Sequence, residues 1–359
     1  MKRNILLNPG PACTSDAVKQ AVLDIGDVCP REIEFGTLMK NVSEKIKTHL
    51  TSDTNEYEAV LFTTSGTGAM ESIISSLPKE TDRVLNIVNG EYGKRIGEML
   101  EVYGIRSSTL DFGYDPINLD VIEKVLQSVE FSHICIVHCE TTTGVINDIE
   151  KLAQIASKKN VKVIVDAMSS AFAYPINMKE WGIDFLACSS NKLVQGLAGI
   201  GIVVGSKKQI QRCHKRNLYL SLKDQADYFN KSNQMRFTPP VQILNALDVA
   251  LDELSKEGLA KRYKRYEKLN LHTRKKMEEC GFTPVIPLNE SSIIITAYHE
   301  PAGFDFENFH SYMKERSFIV YPGKLTDGKS FRIANIGNIT LDDVNEFLTL
   351  VKDYMKNTI

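Results

Sequence analysis

Three short stretches of the 359-residue chain carry residue types whose spacing could do chemistry. Residues 163–173, VIVDAMSSAFA, begin as a run that a sheet interior would bury and then present the carboxylate of Asp166. A carboxylate taken out of water must sit at a strand end, take up a proton or face a lasting cation. Alone, such an aspartate reads as the cap of the following loop. Residues 63–72, TTSGTGAMES, place Ser65, Gly66 and Thr67 in a turn between an apolar run and a helical pattern. That kind of turn points backbone N–H groups and the positive end of a helix dipole at an anion, most often a phosphate. Its plain alternative is an ordinary strand-to-helix connection. Residues 189–205, SSNKLVQGLAGIGIVVG, set Lys192 a few residues beyond another apolar run, trailed by glycines that let backbone come close. Partial burial moves a lysine toward the free amine that attacks carbonyls, whereas an isolated surface lysine merely snorkels.

Taken together, the three pieces fit one cofactor. Pyridoxal 5'-phosphate requires a phosphate cradle, a buried aspartate and a lysine at the ends of neighbouring parallel strands. The lysine holds the aldehyde as an imine, the phosphate lies on the helix N-terminus, and Asp166 pairs with the protonated pyridine nitrogen. Other sites read weakly. From Gly66 the chain scans as G-x-G-x-x-E, which lacks the third glycine of a dinucleotide fingerprint, and no Walker A loop occurs. The seven cysteines are scattered, with no C-x-x-C and no zinc spacing with histidine, so no metal is expected. His138 reads as a satisfied core histidine.

The elements that must position these residues follow from periodicity. Apolar runs at 59–63, 84–88, 134–138, 161–165, 184–188 and 200–204 alternate with helical patterns such as Met70, Ile73, Ile74 and Leu77. That alternation predicts an α/β fold with a mostly parallel sheet covered on both faces. After Phe237–Pro240 the pattern changes. Helices run from Val241 to about Cys280, followed by strand-like 291–297, helical 306–315, strand-like 318–321 and 330–334, and a last helix from Leu341, which together read as a smaller α+β domain.

Composition narrows the class. With 43% hydrophobic and 25% charged residues and a formal net charge of −2, neither nucleic acid nor an acidic membrane is expected as the main partner. The densest basic stretch, KRYKRYEKLNLHTRKK at 261–276, reads as a solvated helix face. Reduced thiols and an N-terminus with too short an apolar core for a signal peptide give a soluble, cytoplasmic expectation.

The ordered motifs SGTGAME, NGEYGKR, HCETTTG, VDAMSS, SSNK, RFTPP, YPGKL and FRIANIG resemble the class V aminotransferases of the fold type I pyridoxal phosphate enzymes. The resemblance runs from Leu6 to the last helix, and HCETTTG, RFTPP and YPGKL resemble the phosphonate branch. It implies a seven-stranded-type, mostly parallel sheet in a large domain (26–240), a small C-terminal domain (241–359) and an N-terminal segment (1–25) packing with the latter. It also implies a homodimer. On matching positions it makes Lys192 the cofactor-bearing lysine and proton carrier, and Asp166 the partner of the pyridine nitrogen. Ser65, Gly66, Thr67 and Asn191 would hold the phosphate, with Thr238 reaching it from the other subunit. Tyr92 would stack on the ring, where the plain alternative is packing under a turn. Thr141 would lie near the phenolic oxygen, and Arg332 would grip the acidic end of the substrate.

The activity so implied interconverts 2-aminoethylphosphonate and phosphonoacetaldehyde, with a 2-oxo acid and its amino acid, such as pyruvate and alanine, as the other pair. The alternative is another class V transaminase of alanine or serine with glyoxylate or pyruvate. CPREIEF, at 29–35, departs from the acidic, tryptophan-bearing stretch of the degradative members and makes Arg31 a second candidate for the substrate. Cysteine desulfuration needs a reactive cysteine on a late flexible loop, but the last one, Cys280, ends a helical pattern. A binding or scaffold protein has no need of Arg332.

Overall fold

The computed structural model describes residues 3–77, 83–325 and 329–358. Its main sheet has seven strands in the order Tyr57–Thr63, Ile200–Ser206, Phe185–Ser189, Lys162–Asp166, His133–Val137, Val84–Val88 and Ser107–Asp111. Six run in one direction, and Ile200–Ser206 alone runs against both neighbours. Every residue of Val84–Val88, His133–Val137, Phe185–Ser189 and Ile200–Ser206 is buried, which is why these strands read as unbroken apolar runs. The seventh, Ser107–Asp111, escapes an apolar-run reading. It is an edge strand with sequence SSTLD and no fully buried residue, so burial placed little demand on its composition.

Parallel strands bring their C-terminal ends to one edge of the sheet, where ligand sites of such sheets form. Thr63, Asp166 and Ser189 are each the last residue of a strand. Helix Gly66–Ser76 follows the first of them and packs on Phe185–Ser189 and Ile200–Ser206 through Ala69, Met70, Ile73 and Ile74.

Helix Val241–Glu257 follows the change of pattern after Pro240, yet it buries Leu244, Leu247, Leu251 and Leu254 in the same core as the main sheet. Full burial of each leucine contributes about 1.5–3 kcal/mol. Helix Asp16–Asp24, capped by Ser15 Oγ accepting from Val18 N at 3.1 Å, lies on it. A second, antiparallel sheet orders Thr283–Pro284, Ile295–His299, Ser330–Ala334 and Tyr321–Pro322. Behind it Phe282, Phe304, Phe309 and Phe331 form an aromatic cluster, with Phe282 edge-on to Phe331 at 5.3 Å. The run at 318–321 splits. Phe318–Ile319 pairs in parallel with Ile5–Leu6 near the N-terminus, while Tyr321–Pro322 joins the sheet holding Arg332.

The basic stretch lies in helix Leu259–Glu279, but it is not wholly a solvated face. Arg262 is 1% exposed, donating to Glu257 at 2.8 Å and to Leu193 O at 3.0 Å, and Arg274 is also buried. Charge runs conceal such inward arginines because a guanidinium with enough acceptors is tolerated inside.

Candidate active site

A cavity of about 240 Å3 opens at the strand ends, lined on one side by Ser65, Gly66 and Thr67 and on the other by Asp166, Asn191 and Lys192. Ser65 is the N-cap of helix Gly66–Ser76, but its hydroxyl makes no capping bond and stays available to a ligand. At Gly66 a Cβ would lie 2.4 Å from Met168 Sδ, so a larger residue here would displace the Met168 side chain.

Asp166 is 8% exposed and accepts one backbone bond, from Met168 N at 2.9 Å. Burial pushes its carboxyl above the usual range, against the Met168 N–H and the charges of Lys192 and Arg95. A carboxylate in that position is under-compensated and suits a cationic ring nitrogen. Burial likewise lowers the Lys192 amine, only partly offset by Tyr92 and Asp166. The ammonium donates to Pro9 O at 2.6 Å, and Gly10, at φ +137°, lies so close that a Cβ would sit 2.6 Å from Lys192 Cδ. The NPGP segment therefore shapes the lysine's wall, a role that no reading of the motifs assigned.

Tyr92 is the second residue of the helix Glu91–Val102, whose N-terminus is clamped by the buried carboxylate of Glu140. Glu140 Oε2 accepts from Tyr92 N at 3.0 Å and Gly93 N at 3.3 Å, and Oε1 from Thr142 N and Oγ1 at 3.1 and 2.7 Å. Putting to HCETTTG the question asked of Asp166 would have found it, since a buried acid at a helix N-terminus needs a reason. The Tyr92 hydroxyl meets Thr141 and Arg332. Arg332, 3% exposed, donates Nε to Pro322 O at 3.0 Å and Nη1 to Thr141 O at 3.1 Å. Burial raises the Tyr92 phenol, but Lys192, Lys324, Thr141 and Arg332 outweigh it and lower its pKa.

The structure thus gathers Ser65, Gly66, Thr67, Tyr92, Thr141, Asp166, Asn191 and Lys192 around one cavity, with Arg332 against Tyr92 and Thr141. Two residues are not brought there within the chain. Thr238 is exposed, its carbonyl accepting from Thr63 Oγ1 at 3.3 Å. Arg31 donates to Met235 O at 2.8 Å, Tyr228 OH and Gln234 Oε1 at 3.2 Å, and Arg236 O at 3.2 Å, and is not among the residues lining the cavity. A cage of carbonyls claims it. Arg95 and Met168 line the cavity unforeseen. His138 is buried and held neutral, pushed down to about 3 by burial, but its Nδ1 has no partner among the described residues, so it is not the satisfied histidine expected.

The residues present fit pyridoxal 5'-phosphate: a free hydroxyl and helix N-terminus for the phosphate, a buried acid for the ring nitrogen, and a lysine of lowered pKa. The comparisons agree. The family described as Aminotransferase class-V matches residues 26–326. The 2-aminoethylphosphonate–pyruvate transaminase of Bacillus mycoides (strain KBAB4) is 37% identical over 356 residues, covering 96% of each chain. A bifunctional phosphonoacetaldehyde hydrolase/aminoethylphosphonate transaminase of Clostridioides difficile (strain 630) is 35% identical over 98% of this chain, which spans 56% of that longer protein. Among solved structures, an alanine–glyoxylate aminotransferase of Nostoc sp. superposes with a TM-score of 0.92 at 24% identity, covering 98% and 95% of the two chains, which is a likeness of fold. By the match over residues 26–326 and the identity with these relatives, the chain belongs to the class V aminotransferases, a pyridoxal phosphate-dependent family.

Proposed function

We propose that the protein transfers an amino group between 2-aminoethylphosphonate and pyruvate, giving phosphonoacetaldehyde and alanine. The observation that carries this reading is Arg332, buried against Thr141 and Tyr92 at the cavity that holds Lys192. Its planar fork suits the acidic end of a small substrate, carboxylate or phosphonate. The names of the relatives at 35–37% identity support the phosphonate.

When bound, the cofactor supplies an electron sink for the carbon next to the amine. The chain does the rest. Lys192 attaches the cofactor and afterwards carries a proton on Nζ, its lowered pKa keeping a free amine available. Asp166 would hold the ring nitrogen, while Ser65, Gly66, Thr67 and Asn191 would hold the phosphate. Tyr92 would cover the ring, and Thr141 would stand by its phenolic oxygen.

A panel of amino donors, each read by the cofactor's spectral change in the half-reaction, tests the substrate. Both 2-aminoethylphosphonate and alanine should convert it. If alanine or serine does so and 2-aminoethylphosphonate does not, a general alanine or serine transaminase takes the place of this reading. Arg332→Ala should weaken both half-reactions by roughly tens- to thousands-fold, the cost of a lost charge-assisted pair.

The enzyme acts in the cytoplasm as a homodimer. Leu218, Tyr219 and Phe237 are exposed at 64%, 41% and 37%, and the last two stack at 5.3 Å beside Thr63 and Thr238, where a second copy covers them. Thr238 then serves the partner's phosphate, held in place by Arg31 through the carbonyls of Met235 and Arg236. Mixing inactive Lys192→Ala with a Thr238 variant of poor cofactor affinity should restore partial activity, because one site of the heterodimer is built from intact parts. A fully active monomer in light scattering would refute the dimer.

A further inference from the structure

Two cations lie near the Tyr92 ring. The Arg95 guanidinium carbon lies 5.0 Å from its ring centroid, and Lys324 Nζ lies 4.8 Å from it. Arg95 lines the cavity and acts on Asp166, on the cofactor's side. Lys324 is exposed and acts on the Tyr92 hydroxyl, which also meets Arg332. The two cations nearest the substrate's end are also tied through backbone. Pro322 O, which accepts from Arg332 Nε at 3.0 Å, precedes Lys324 by two residues, and Gly323 N donates to Ser330 O at 2.7 Å.

The two cations are spent differently. Arg332 bonds Pro322 O, Thr141 O and the Tyr92 hydroxyl. Lys324 has no carboxylate within ion-pair distance among the described residues. Glu91 feels its charge, but that carboxylate is paired with Lys94 at 2.7 Å and with Tyr114 OH at 3.1 Å. A cation unpaired among the described residues, over a tyrosine that lines the cavity and that also meets an arginine, is half of an anion site.

We infer that Lys324 is the specificity residue for the phosphonate: it takes the third oxygen and second charge, while Arg332 takes the two oxygens that phosphonate and carboxylate share. The inference rests on the substrate reading above. A carboxylate offers two oxygens and one charge, which one guanidinium fork meets. A phosphonate offers three oxygens in a tetrahedron and, like a phosphate monoester, close to two charges near neutral pH. The remainder calls for a compact charge that can follow one substrate and swing into water for the other. An ammonium on a flexible stem does that and a second guanidinium does it less well. Within the chain Arg31 is not among the residues that line this cavity and is bonded to Met235 O and Arg236 O instead.

The rival role is a prop for the Tyr92 ring, and the test separates the two. Holoenzymes of wild type, Lys324→Met and Lys324→Arg are compared in the two half-reactions, and in inhibition by ethylphosphonate and propionate, which lack the amine. Lys324→Met should lower kcat/KM for 2-aminoethylphosphonate by about 10- to 100-fold and weaken ethylphosphonate by a similar factor. The alanine half-reaction and propionate should change by about threefold at most, and Lys324→Arg should recover most of the loss. The phosphonate effect should shrink as ionic strength rises, because the ammonium is exposed. Equal losses for both substrates, or no loss for the phosphonate, would overturn the assignment and leave the substrate reading standing. Wild type that converts alanine but not 2-aminoethylphosphonate overturns the substrate reading itself, before any substitution is made.

Discussion

Lys192→Ala is expected to lose turnover by several orders of magnitude while the protein still folds. The substitution removes the covalent anchor of the cofactor and the group that moves the proton, two functions that no neighbour replaces. Its surroundings explain why the amine is suited to both. Burial lowers its pKa, and Pro9 O at 2.6 Å aims the nitrogen rather than charging it, since a carbonyl brings no full negative charge. The variant should bind cofactor without covalent attachment, if at all. In the wild type, borohydride should bleach the yellow colour and fix the cofactor on the peptide containing SSNKLVQG. A colourless holoprotein, or label on a different lysine, would end the assignment.

Asp166→Asn should cost roughly 100-fold or more in kcat with the fold intact, because an amide of the same size cannot hold a protonated ring nitrogen. A second, independent effect concerns the protein without cofactor. The Asp166 carboxyl is raised above its unfolded value by burial. The stability it contributes is therefore fully present below the unfolded pKa and is lost as pH rises through the raised folded one. The cofactor-free wild type should lose stability over that window relative to cofactor-free Asp166→Asn, which has nothing to ionise. Adding cofactor should reverse the ranking at neutral pH, as the carboxylate gains its cation. Thermal melts of both proteins across pH, with and without cofactor, read this directly. Near-normal turnover in the variant would mean that the aspartate merely caps a loop.

Much of the fold was legible because burial on both faces leaves a strand no compositional freedom. Val84–Val88 and Ser330–Ala334 have the bounds that their apolar runs predict, the other apolar runs of the main sheet differ by one or two residues, and the strand read at 291–297 is found at Ile295–His299. Where burial is one-sided the signal fails, as at the edge strand Ser107–Asp111. It also fails where one run serves two partners, as at 318–321, since an apolar residue does not say which sheet it will join.

The candidate site divides along the same line. The turn Ser65–Thr67, the strand-end Asp166 and the lysine after Ser189 are local features, each decided by a few neighbouring residues, so sequence alone determined their character and their order. Tertiary structure decided who faces whom. Pro9 meets Lys192 across 183 positions and Arg332 meets Thr141 across 191. Arg31, the second candidate for the substrate, meets within the chain the carbonyls of Met235 and Arg236, while Lys324 lies over Tyr92. A long charged side chain goes to whichever acceptors or ring the packing of distant segments leaves open, and no periodicity along the chain records that choice.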